Sequence, residues 1–132
     1  LNLLPPVGLD AGSIRYLHHP IVLNYHYYLF DENILLLSPQ TDAILASYHR
    51  SGEQARLLLI SYPKALTARN ALAGFREHYL PDADSGGLAH LENDKWAAVA
   101  LYDRLLTIVL EADGRLLAKN LIREAGQQAS RE

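Results

Sequence analysis

Six histidines and eight tyrosines are the side chains of widest chemical range in this 132-residue sequence, and they are unevenly placed. Tyr25, His26, Tyr27 and Tyr28 are consecutive, and Tyr48 and His49 are adjacent. An imidazole changes charge near neutral pH and ligates transition metals. A tyrosine joins an apolar ring to a polar tip. A pocket walled by both would suit a small ligand or acid–base chemistry, so Tyr25, His26, Tyr27, Tyr48 and His49 form the candidate ligand-binding set. The same tyrosines also suit the filling of a small sheet core, with hydroxyls at its rim, and that is the leading reading.

Other chemistry finds little support. The chain has no cysteine, no Gly-x-Ser-x-Gly elbow, no Gly-x-Gly-x-x-Gly and no Gly-Lys-Ser/Thr phosphate loop. His18, His19, His26 and His49 lack the spacing that sets two ligands on one face, and no His-Glu-x-x-His occurs. No metal and no cofactor is therefore expected. Asp31 and Glu32 fall in a turn-like cluster, and Asp82 and Asp84 in a polar loop, where acids serve local backbone hydrogen bonds. No catalytic residue is assigned.

The elements that must position these residues follow from pattern. Pro5, Pro6 and Gly8 make residues 1–9 an extended lead-in, and Asp10 has the character of a cap for a short helix ending near Leu17. Residues 21–30 are rich in Val, Ile, Tyr and Phe and predict an N-terminal strand. Residues 43–49 and 56–62 alternate as strands around a Ser51-Gly52 turn. Ala68, Ala71, Leu72, Phe75 and Tyr79 then recur at helical spacing up to Pro81. After a polar loop at 81–87, two strands at 95–102 and 104–111 turn at Asp103. Asp113 is placed to cap a closing helix carrying Leu117, Leu121 and Ala125 on one face.

This predicts one α+β domain over residues 1–132, with a mostly antiparallel sheet. Two strand-strand-helix units, residues 43–80 and 95–125, form a pseudo-repeat, both helices packing on one sheet face, with the N-terminal strand added at an edge. The 49% hydrophobic content suits a core that needs no staple. Twelve basic against fifteen acidic residues, net −3, disfavour nucleic-acid binding. The longest apolar run, Trp96 to Tyr102, is too short for a transmembrane segment. The chain opens on Leu1 and contains no methionine, which points to a mature or excised form with a segment upstream. The apolar lead-in and a sheet edge suggest weak self-association as a homo-oligomer.

Several short segments carry a resemblance. Residues 23–34, with Tyr25-His26-Tyr27 and Asp31-Glu32-Asn33-Ile34, are followed by Leu57-Leu58-Leu59-Ile60-Ser61-Tyr62-Pro63, Tyr79-Leu80-Pro81 and Lys95-Trp96-Ala97. Together they resemble an uncharacterised bacterial family of domains of unknown function. The resemblance implies a secreted or envelope-associated protein behind a leader, and supplies no site residue. The resulting expectation is a non-enzymatic binding or structural module, extracytoplasmic, with a protein or small-molecule partner. The alternatives are a small-ligand binder or enzyme with a Tyr/His pocket, and a cytoplasmic location.

Overall fold

The computed structural model of the chain describes residues 4–5, 7–17, 35–37, 40–78, 87–91 and 94–131. Within them one antiparallel sheet holds six strands: β1 (Leu9–Leu17), β2 (Asp42–Arg50), β3 (Glu53–Ser61), β4 (Leu88–His90), β5 (Trp96–Tyr102) and β6 (Leu105–Ala112). Helix α1 (Ala65–His78) follows β3, and α2 (Arg115–Arg131) follows β6. The strand order is β1-β2-β3-β6-β5-β4. The α+β class and the antiparallel sheet with an N-terminal strand are as the sequence predicts, the strand present being residues 9–17. The strand expected at 21–30, the Asp31–Glu32 turn and the loop before Gly87 lie outside the described residues.

Both hairpins form where expected. Ser51 and Gly52 adopt φ of 51° and 81° between β2 and β3, the paired left-handed geometry that matches strand twist. Asp103, φ 58°, turns β5 into β6. The strand-strand-helix order thus recurs, with β3 and β6 paired at the sheet centre and registered Leu58 to Ile108.

The helices do not share a face, which corrects the expectation. On one face Ala68, Ala71 and Phe75 of α1 pack with Leu45, Leu58, Ile60, Val99, Leu106 and Ile108. On the other, Leu117, Leu121 and Ala125 of α2 pack with Tyr48, Leu57, Leu59, Ala98 and Val109. The cause is visible in the central strands: residues 57–60 of β3 and 105–110 of β6 are buried at consecutive positions. A strand buried on both sides needs a cover on each, and one helix goes to each face.

Two further corrections concern aspartates. Asp10 begins no helix; residues 9–17 are β1, since Gly12, Ser13 and the β-branched Ile14 are poor helix formers and a segment so short gains more from pairing with β2. Asp113 does not cap α2. Its carboxylate accepts the Gln54 amide at 2.8 Å and contacts Lys95 Nζ, tying the start of β3 to the β5 entrance.

The lead-in finds its partner within the chain. Leu4 is buried with Tyr48, the Tyr48 hydroxyl donates to the Pro5 carbonyl at 2.8 Å, and the His49 amide donates to Gly8 O at 2.9 Å. Gly8 (φ 77°) opens β1 as Gly87 (φ 81°) opens β4. Each carbonyl accepts an amide of the inner strand, His49 or Val99, whose own carbonyl stands where a Cβ would project.

Candidate functional site

Strand alternation decides what Tyr48 and His49 can share. Consecutive residues of a strand point to opposite faces. Tyr48 is fully buried in the α2-side core, and burial holds its phenol well above the ordinary tyrosine pKa. His49 is exposed on the other face. The two cannot line one cavity. Tyr25, His26 and Tyr27 lie outside the described residues.

His49 stands instead in a polar concavity that the expected set did not include. Toward the β2–β3 turn, the α1-side face changes from leucine and isoleucine to Ser47 and His49 on β2, opposite Arg56 and Gln54 on β3. On β1, Asp10 pairs with Ser47 and Arg15 with Leu45. The surface between them holds two contiguous chambers. Ser13, Arg15, Leu45, Ser47 and Arg56 line one of about 250 Å³. Asp10, Ser47, His49, Gln54, Arg56 and Glu111, with Ala55, line a second of about 180 Å³.

Two interruptions of strand register shape these walls. Between Asp10 and Arg15, five steps along β1 are matched by two along β2. The loosened segment is held by Ser13, whose hydroxyl donates to Asp10 O at 2.6 Å and accepts the Ser47 amide at 2.7 Å. Asp10 Oδ1 accepts the Gly12 amide at 3.1 Å. Arg15 Nη1 donates to the Gly12 and Ile14 carbonyls, fixing its guanidinium beside the chamber. On β6, an extra residue between Val109 and Ala112 accompanies φ 51° at Glu111. Such bulges re-aim side chains, and Glu111 reaches 4.0 Å from Arg56 Nε.

The arrangement sets charged and polar groups around one concave surface. Ser47 and His49 share a face, but residues two apart on a strand are separated by roughly 6.7 Å. A base must come within hydrogen-bond reach of a nucleophile, and no hydrogen bond joins Ser47 to His49 in the structure. Among the described residues, no group of three or more His, Asp or Glu side chains is gathered as a metal ion would need. His90 forms a separate surface feature, its Nε2 donating to Asp94 Oδ1 at 2.7 Å and its ring stacking on Trp96 with centroids 4.4 Å apart.

Sequence reasoning missed Asp10, Ser13, Arg15, Ser47, Gln54, Arg56 and Glu111 as a site. A signal was present: Ser47, His49, Gln54 and Arg56 are the polar alternates flanking one tight turn. Comparison of the chain with protein-family models, with curated proteins and with solved structures finds no match.

Proposed function

We propose that the chain is a non-enzymatic binding module of the bacterial envelope, and that its binding surface is the polar concavity between β1, β2, β3 and β6. The observation that carries this reading is the contrast within one sheet. The central strands are packed on both faces, yet the same face ends in an open, charged depression lined by Arg15, Arg56, Asp10, Glu111 and His49. A concave site with convergent polar groups is where a ligand gains orientation and specificity. The envelope location draws support from the resemblance of residues 23–34, 57–63, 79–81 and 95–97 to an uncharacterised bacterial family that looks secreted or envelope-associated, and fractionation of cells expressing the full gene product tests it.

The binding reading is tested by titrating the protein with a mixture of amino acids, short peptides, sugars and sugar phosphates while recording amide spectra. Shifts clustered at Arg15, Ser47, His49 and Arg56, with the ligands recovered chemically unchanged, are expected. Shifts elsewhere, no shifts, or turnover of a compound would reject it.

A further inference from the structure

The two chambers differ in charge. The larger holds Arg15 and Arg56 with the Ser13 and Ser47 side chains and, among the described residues, no acid. The smaller holds Asp10 and Glu111 at its ends, with His49, Gln54 and the shared Arg56 between them, Arg56 Nε lying 4.0 Å from Glu111. They meet at Ser47 and Arg56, which face each other across β2 and β3. A ligand lying over Ser47 therefore meets Asp10 on one side and Arg56 on the other, with Arg15 toward Leu45 and Glu111 toward the β2–β3 turn. Guanidinium groups favour carboxylate through paired, charge-assisted hydrogen bonds. A carboxylate accepts from ammonium in the same way and repels another acid.

We infer that the concavity takes a small zwitterion of the amino-acid or short-peptide class, its carboxylate between Arg15 and Arg56 and its ammonium group in the chamber of Asp10 and Glu111. This rests on the binding reading above. A simple anion would also meet Asp10 and Glu111, and a simple cation would face the two arginines. Leu45 supplies a small apolar floor for a side chain such as a methyl group.

Calorimetry with alanylalanine, its N-acetyl derivative and its C-terminal amide tests the inference on the whole chain. Alanylalanine should bind, and each capped form should bind at least about tenfold more weakly, a loss of about 1.4 kcal/mol. Asp10→Asn/Glu111→Gln should erase the preference over the N-acetyl form, and Arg56→Gln the preference over the amide, with melting temperatures checked for each variant. Equal binding of the N-acetyl form overturns the zwitterion and leaves an anion-binding module. If none of the three binds while other compounds shift Ser47 and Arg56 amides, the ligand class falls and the binding reading stands. If no compound shifts those amides, both fall.

Discussion

Arg50 on β2 closes on Glu124 of α2 through two hydrogen bonds of 2.9 Å, both side chains partly buried. The same guanidinium donates from Nε to Val7 O at 2.9 Å and lies 5.7 Å from the Tyr48 ring centroid. One residue thus joins the lead-in, the sheet and the closing helix. A double-mutant cycle of Arg50→Ala and Glu124→Ala in urea should give a coupling of about 1 kcal/mol or more, above the usual surface pair because the contact is bidentate and shielded. Additive losses would show the pair to be incidental.

Gly8 and Gly87 should tolerate no side chain. At each, φ is left-handed and a Cβ would strike a carbonyl oxygen of the neighbouring strand, His49 or Val99. Alanine at either position should cost about 2–4 kcal/mol, combining left-handed strain with a backbone clash. Gly52→Ala is the control: its φ is also 81°, but open space surrounds the added methyl. Its cost should be about 1 kcal/mol. Chemical denaturation of the three variants checks the order.

The Asp113–Lys95 pair gives a pH dependence of known sign. The Lys95 ammonium, then the Gln54 amide, hold the Asp113 carboxyl below its ordinary 3.8. Its stabilisation is present above that value and is lost as pH falls through the lower folded pKa. The contact with Asp113 raises Lys95 above 10.5, so that contribution is lost only as pH rises through the folded value. Melting temperature measured between about pH 2 and 5 should fall in acid more gently for Asp113→Asn than for the wild type. Parallel curves would contradict the pair's role.

Tyr48→Phe keeps the packed ring and removes the bond to Pro5, so it should cost about 1 kcal/mol. The His49 amide, which donates to Gly8 at the foot of the same lead-in, should exchange faster in the variant. The Val99 amide, bonded to Gly87 at the far edge, should not change relative to global stability. Equal acceleration at both would show that the hydroxyl does not fasten the lead-in specifically.

The sequence carried the hairpins and helices well because their signals are local: alternation, the Ser51-Gly52 turn, and the spacing of Ala68, Ala71 and Phe75. Helix placement was less legible, although the unbroken apolar runs at 57–60 and in β6 hold the reason for covering both faces. Asp10 and Asp113 misled because an acid before an apolar stretch resembles a cap whether or not a helix amide is its partner. The concavity was harder still. Arg56 and Glu111 are 55 positions apart in sequence, and only the pairing of β3 with β6 and the bulge at Glu111 bring them to 4.0 Å. Tyr48 and His49 were paired in the sequence by adjacency, which in a strand is what separates them.

The central claim, that the concavity beside Ser47 is where this chain binds, is tested most directly by filling it. Ser47 is half-buried between Asp10 and Arg56, and its side chain faces the two chambers. Saturation-transfer NMR on the amino-acid, peptide and sugar mixture should show saturated compounds with the wild type and none with Ser47→Trp, while the variant keeps its sheet spectrum and melting temperature. A folded Ser47→Trp protein that still saturates the same compounds, or a wild type that saturates none, would contradict the account.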